Sequence, residues 1–386
     1  MMAERQVSRR EFVRDSALAA GAVAAGMTAC RSGKSGAARL AAAGADTAAK
    51  AVHPARTETG KPLNFNPDME YRRAGRSGLM ISAVCLGGHW KRVDTMIGKG
   101  MGDGWQGANL DHPAFVKNRD EVVSHCIEVG INYVDACSGT EIMAYSRALK
   151  GRREKMYFGF SWYEYEMRFH PWRDSLEKMM EGFELGLKQS GLDYVDLWRI
   201  SMEMDTARRQ TDKEVEITME CLARARKAGK ARFTGVSSHD RDWLKKAVET
   251  YPEVMDIILT PYTADSKVLP KDSLFDAVKK HDVGVLGIKP FSSNSLFAGD
   301  STLASPQAEE DDKRARLAIR YILGNPAITA PMPGMINLHQ VDNIIQAVKE
   351  RRQLDLAESE ALKKATAQMW ANLPKDYQWL RQWEYV

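Results

Sequence analysis

The residue order predicts an α/β fold, a closed (β/α)8 TIM barrel, and three observations carry that reading. Eight β-rich apolar runs alternate with eight amphipathic stretches over about 250 residues, the span such a barrel needs. The segment after the first run, Leu86-Gly87-Gly88-His89, lacks the G-x-G-x-x-G phosphate loop of an open, doubly wound sheet. The chain has 386 residues, 44% hydrophobic and 27% charged, enough to bury one large core.

The strands are expected at Ile81–Gly87, Ile131–Cys137, Met156–Trp162, Val195–Ser201, Phe233–Ser238, Asp256–Tyr262, Val283–Phe291 and Ile328–Pro333. The helices are expected at Arg119–Val129, Glu141–Leu149, Asp174–Gln189, Lys213–Lys227, Trp243–Thr250, Ser273–Lys280, Lys313–Leu323 and Val341–Arg351. Their apolar residues recur at helical spacing, as in Leu176, Met179, Met180, Phe183 and Leu187. Gly130, Gly191, Gly229 and Gly324 stand where helices end.

Charge divides the chain unevenly. Residues 1–60 hold 9 Lys/Arg against 5 Asp/Glu, and residues 61–386 balance at 46 against 46. A body of zero net charge is not built to neutralise a phosphate backbone, so nucleic acid is excluded as a partner. Five cysteines without a CxxC spacing exclude a disulfide scaffold and a Cys-rich zinc or iron–sulfur site.

The N-terminus reads as an export label. Ser8-Arg9-Arg10-Glu11-Phe12 precedes an Ala/Gly-rich apolar stretch, Ala17–Ala29, shorter than the ~20 residues that span a bilayer. Residues 1–30 are therefore expected to be a twin-arginine signal handled by the twin-arginine translocation machinery. The protein would then be periplasmic or bound to the cell envelope. Met27-Thr28-Ala29-Cys30 also resembles a lipoprotein cleavage box, which would anchor the chain through a lipidated Cys30. Residues 31–68, rich in Ala, Gly, Ser and Thr, are expected to be a flexible linker, with residues 69–386 forming the barrel and an aromatic C-terminal tail.

Barrel chemistry gathers where strands end, at the C-terminal face. Those ends supply His89, Trp90 and Lys91; Asp135 and Cys137; Ser161, Trp162 and Tyr163; and Arg199 and Ser201. The later strands add Ser237, Ser238, His239 and Asp240, then Tyr262, Lys289, Pro333 and Gly334. A metal on His89, Asp135, Glu141 or His239 has no HxxxH or HxH spacing behind it, so none is expected. The long loop Lys91–Lys117, with Trp105, is a candidate lid, and the tail Met369–Val386 is too aromatic to be left in water.

The stretch Met69–Ser82 resembles the opening of aldo-keto reductases, a β-hairpin capping the barrel floor. Val134-Asp135, Ala148–Arg152, Leu192–Leu197, Gly235–Ser238 and Met332-Pro333-Gly334 match further landmarks in order. The resemblance implies a carbonyl reductase that uses NADP(H) and an Asp, Tyr, Lys and His tetrad. Asp135 matches the aspartate. The loop Ser138-Gly139-Thr140 runs into Glu141 about four residues short of the tyrosine; Phe160-Ser161 replaces the lysine, and Ser201 the histidine. Ser237 matches a serine that holds the nicotinamide amide, and Tyr262 offers a stacking face. Lys289 and the backbone after Gly334 would serve the pyrophosphate.

His89, His239 and Tyr163 form a substitute acid/base set, and Arg199, Lys91 and Lys289 could hold an anionic oxygen. Trp90, Trp162 and Trp198 resemble faces on which a sugar stacks. The expectation is an exported oxidoreductase acting on a carbonyl or sugar-like small molecule. Its rivals are a cofactor-independent isomerase or lyase and a non-catalytic small-molecule binder at the cell surface.

Overall fold

The computed structural model describes residues 60–90, 92–98, 108–167, 172–203, 209–267 and 271–384. The twin-arginine segment, Cys30, most of the linker, Lys91, Trp105 and Tyr385 lie outside them. Among the described residues, no helix is long and apolar enough to cross a membrane.

A two-stranded hairpin, β1 (Tyr71–Arg73) and β2 (Met80–Ser82), comes first, pairing Arg72 with Ile81. Its turn requires glycine at Gly75, where φ is +52° and a Cβ would strike the backbone of Asp282, Val283 and Gly284. Arg72 ties the hairpin down through the carbonyls of Leu323 (2.8 Å) and Ile328 (3.1 Å). Leu79 and Ile81 then pack beneath Tyr133, Phe233, Ile257 and Leu286 and close the barrel floor.

Seven parallel strands follow in ring order: β3 (Tyr133–Ala136), β4 (Tyr157–Phe160), β5 (Val195–Ser201), β6 (Ala231–Ser237), β7 (Ile257–Pro261), β8 (Gly284–Ile288) and β9 (Ala330–Pro331). The segment Cys85–Gly87 fills the eighth place. The Leu86 amide donates to Tyr133 O (2.9 Å) and the Asp135 amide to Leu86 O (2.9 Å) on one side. The Cys85 and Gly87 amides donate to Pro331 O (3.0 Å) and Pro333 O (2.9 Å) on the other. The expected first strand is therefore divided. Ile81 and Ser82 belong to the hairpin because Ser82 turns the chain, its amide donating to Asn132 Oδ1 and its hydroxyl to Val84 O.

Helices α1 (Val93–Ile97), α2 (Pro113–Glu128), α3 (Gly139–Ala148), α4 (Leu176–Ser190), α5 (Asp212–Lys227) and α6 (Arg241–Thr250) alternate with the strands. They are followed by α7 (Leu274–His281), α8 (Ala308–Leu323), α9 (Leu338–Lys349), α10 (Leu356–Ala371) and α11 (Trp379–Glu384). Helix α4 shows the logic. Ser175 caps the Lys178 amide, Met179, Phe183 and Leu187 are buried, and Gly191 ends the helix at φ +69°. Phe183 lies flat on Trp198 at 3.9 Å, and burying such a ring contributes roughly 2–3 kcal/mol.

Helix α2 starts six residues earlier than its apolar period suggests, because the His112 ring caps the Ala114 amide and Pro113 suits the first turn. Helix α10 is an addition to the expected eight. Its Leu362, Ala365 and Met369 pack with Leu317 and Ala318 of α8. The end of the expected linker also moves: Asn66 donates to Glu128 O (3.1 Å), Asn132 to Leu63 O (3.1 Å) and Asn64 to Ile127 O. These bonds dock residues 63–68 on the barrel floor.

Candidate active site

At the C-terminal ends of the strands lies a cavity of about 650 Å³. Its deepest charged group is Asp135 on β3. Register places Gly159 of β4 opposite it, and a Cβ there would collide with the Tyr133 hydroxyl and the Asp135 carboxylate. The room so left is taken by the carboxylate itself and by Tyr133, whose hydroxyl donates to it at 3.3 Å, and Arg199 from β5 donates to Asp135 through both Nε and Nη2. Burial opposes the Arg199 charge, yet Asp135 beside it raises the guanidinium above its ordinary value. The ion pair is sealed, with side-chain exposures of 3% and 7%.

Beside this pair, three donor side chains converge. His89 follows the first barrel strand with φ +60°. Glu141 lies in the first turn of α3, which Ser138 caps. His89 Nδ1 stands 2.7 Å from Glu141 Oε1, and the Cys137 amide donates to Oε2 at 2.8 Å. Cys137 Sγ lies 3.7 Å from Nδ1 and 3.8 Å from Nε2 of His89. This closeness depends on Gly88, because a Cβ there would run into the Glu141 carboxyl. Burial raises the Glu141 pKa, but His89 and the two amides outweigh it and hold the carboxyl below its ordinary value. Burial and the Glu141 charge push the Cys137 thiol well up.

The rim is aromatic and cationic. Tyr163, His239, Lys289, Tyr377 and Trp379 line the cavity. The His239 and Trp379 rings stack at 3.8 Å and 5°, and Lys289 Nζ lies 5.6 Å from the Trp379 ring. The tail thus packs on the barrel through Met369, Trp370 and Leu380 and reaches across its mouth through Tyr377 and Trp379. Among the described residues the cavity's tyrosines are Tyr163 and Tyr377 and its lysine is Lys289, and both tyrosines come from outside the loop after β3.

A second, small hollow beside the N-terminus of α9 shares Pro333 and Gly334 with this cavity. That hollow is lined by Arg92, Asn294, His339 and Asn343, with Asp311 and Asp312. Gly334 lets its backbone pack against that of Gly88, because a Cβ there would meet the Gly88 carbonyl. Ser237, at the end of β6, is buried and faces the cavity.

Of the residues singled out from sequence, Asp135, His89, Tyr163, Arg199, His239, Ser237, Lys289 and Gly334 therefore share one cavity. Tyr262 does not line it. Its ring is fully buried and packs edge-on against Phe275, and its hydroxyl accepts from Asn325 (2.7 Å) and donates to Lys267 O (3.3 Å). Trp90, Trp162 and Trp198 are likewise core residues. Trp90 Nε1 donates to Tyr145 (3.0 Å) and Trp198 Nε1 to Glu166 (2.9 Å). Trp379, not singled out within the tail, presents its face to the cavity instead. Asp240 caps α6 by accepting from the Trp243 amide. Arg199 faces Asp135 first and a ligand only second, a pairing that strand-end reading could have caught, since both side chains point inward at neighbouring levels.

Comparison with known proteins fits this architecture. The model of the aldo/keto reductase family matches residues 105–367. L-Galactose dehydrogenase of Arabidopsis thaliana is 26% identical over 200 residues, covering 47% of this chain and 61% of that protein. L-Glyceraldehyde 3-phosphate reductase of Escherichia coli K12 is 24% identical over 243 residues, covering 59% and 63%. The chain thus spans less than two thirds of these relatives' own lengths. Among solved structures, a holo-form aldo-keto reductase from Bacillus halodurans superposes with a TM-score of 0.53 at 21% identity, over 77% of this chain and 96% of that one. A Klebsiella pneumoniae aldo-keto reductase in complex with NADPH gives 0.56 at 17% identity, over 77% and 94%. With a family model covering well over half its length and the barrel those structures share, the chain belongs to the aldo/keto reductase family.

Proposed function

We propose that the protein is an exported oxidoreductase acting on a carbonyl or sugar-like small molecule, with NADP(H) as cofactor and a reductase tetrad reduced to its aspartate. The observation that carries this reading is the adjacency of two hollows. A chamber lined by Asp135 shares Pro333 and Gly334 with a second hollow at the N-terminus of a twelve-residue helix, an arrangement that suits a long dinucleotide beside a small substrate.

The residues present fit a nicotinamide dinucleotide. Ser237 offers a hydroxyl at the inner end, Lys289 a positive charge along the way, and Gly334 a place on the lining of both hollows. Arg92 offers a positive charge at the outer end, beside Asp311 and a His339–Asp312 pair (2.6 Å). Bound there, the nicotinamide would supply a hydride. This chain's own residues would fix the substrate: Arg199 is held rigid by Asp135, while Tyr163, His239 and Lys289 present donors from the rim. Export is inferred from Arg9-Arg10 and the short apolar stretch after them, and lipidation from Cys30.

The His89–Glu141 contact favours one second reading, proton transfer without nicotinamide as in an isomerase or lyase, because a carboxylate-oriented imidazole is a competent base. Mass spectrometry of natively purified protein separates them. Bound NADP(H), with oxidation of NADPH on adding sugar aldehydes, is expected. Absence of nucleotide together with solvent-proton exchange into a sugar would establish the second reading, and ligand binding with neither reaction would leave a surface binder.

A further inference from the structure

We propose that His89, Cys137 and Glu141 bind a zinc ion on the wall of the cavity, leaving its fourth position open to a ligand. No metal is expected from sequence because no HxxxH or HxH spacing is present; the donors lie apart, with His89 after the first strand, Cys137 after β3 and Glu141 in the first turn of α3. The fold brings one ligand atom of each within 4.8 Å of the others. A nitrogen, a sulfur and an oxygen donor form the mixed set that zinc takes in three-ligand sites with an open position.

The separations suit that ion. With Zn–S about 2.3 Å and Zn–N and Zn–O about 2.0 Å, tetrahedral donors stand roughly 3.5 Å (S to N) and 3.3 Å (N to O) apart. Cys137 Sγ is 3.7 Å from His89 Nδ1, and Nδ1 is 2.7 Å from Glu141 Oε1. Admitting the metal requires the imidazole and carboxylate to part by roughly half an ångström and the ring to turn, because Sγ, nearly equidistant from both ring nitrogens, lies off the Nδ1 lone pair.

The same distances argue against a thiol–imidazole nucleophile. A proton relay needs Nε2 aimed at sulfur while Nδ1 rests on the carboxylate, whereas Sγ is nearly equidistant from both ring nitrogens. The donors are also braced from outside. The Cys137 amide fixes Oε2, the His89 amide donates to Oε1, and the bare Cα of Gly88 lets the carboxylate approach. A thiolate and a carboxylate would neutralise the dication, while the nearby Arg199 is already matched by Asp135. All three residues line the cavity, so the open position faces the substrate chamber. There a metal could polarise a carbonyl or hydroxyl oxygen in the loop where relatives are expected to carry their tyrosine acid.

The inference rests on these donors and not on the nicotinamide reading, and its test contains no nucleotide. The full chain is stripped with chelator and titrated with Zn²⁺ by calorimetry, then with Co²⁺ by absorption. One equivalent of Zn²⁺ is expected, with intense tetrahedral Co²⁺ bands and a sulfur-to-cobalt charge-transfer band. Cys137→Ser should lose that band, and Glu141→Gln and His89→Gln should each weaken Zn²⁺ binding at least tenfold. Circular dichroism and the melting temperature report whether each variant is folded, and Cys126→Ser, which alters a buried cysteine of α2, should leave binding unchanged. Lack of stoichiometric Zn²⁺ binding by the folded wild type, or a charge-transfer band that survives in Cys137→Ser, would overturn the proposal.

Discussion

The two ends of the barrel handle buried carboxylates in opposite ways. At the floor, Asp196 accepts from Arg153 and Arg232 (both 2.7 Å) and from the Phe158 amide, and Asp256 from Arg76 (3.1 Å), Arg226 (3.2 Å) and the Thr234 amide. Each has two arginines whose side chains keep 11–28% of their surface in water. Burial raises the Asp196 carboxyl, but the two guanidiniums more than reverse it. At the mouth, Asp135 has one arginine, itself only 3% exposed, and the pair faces the cavity. The floor is redundant and hydrated, as a stabilising element should be. The mouth holds a sealed charge pair and a donor cluster that its own neighbours do not require, the pattern of a site kept for chemistry.

The sharpest way to break this contrast is Asp135→Asn. It strands the Arg199 charge in the interior and should cost about 3–5 kcal/mol, read from urea unfolding midpoints, and abolish turnover. Asp256→Asn removes an equally buried carboxylate, yet Arg76 and Arg226 can turn to water, so about 1–3 kcal/mol is expected. Equal losses would erase the distinction between the two ends.

The next effect is one of pH. Burial pushes the Glu166 carboxyl up to about 7, against hydrogen bonds from Ser161 (2.7 Å) and Trp198 (2.9 Å) that favour the anion. The ordinary value is 4.5, so between there and about 7 the folded protein holds a proton that the unfolded chain has released. Stability therefore falls as pH rises through this window, by about 3 kcal/mol in all. Glu166→Gln should lessen that slope, gaining on the wild type at pH 8 relative to pH 5 in paired denaturation curves, with the remainder carried by Glu164, which burial also pushes up to about 7.

Smaller changes probe the rim and the surface. Trp379→Ala loses the stack on His239 and should cost about 1 kcal/mol in thermal unfolding while widening the cavity, so bulkier ligands should bind better. On the exposed pair Arg73–Asp282 (2.7 Å), Asp282→Asn should shift stability by less than about 0.5 kcal/mol, because water screens the pair and Asn tolerates the local φ of +51°.

The barrel was legible because apolar period and helix caps are local signals. Val195–Ser201 falls where its run of apolar residues places it, and Gly191 ends α4 as expected. What escaped was set by distance in sequence. Trp198 stands next to the inward-facing Arg199 on β5, yet its ring meets Phe183 of α4 and so belongs to the core. The division of the first strand at Ser82 depends on Asn132, fifty residues away. The site was legible as a collection of strand-end residues but not as contacts. Nothing near His89 in sequence announces Glu141, and only the missing side chain of Gly88 hints that something must approach there.

Gly159 has a consequence for how the pocket can vary. Any side chain grown from that position lands on both the Tyr133 phenol and the Asp135 carboxylate, so β4 can offer nothing but bare backbone to the carboxylate at this level. New groups beside Asp135 must enter from other strands, as Arg199 does from β5.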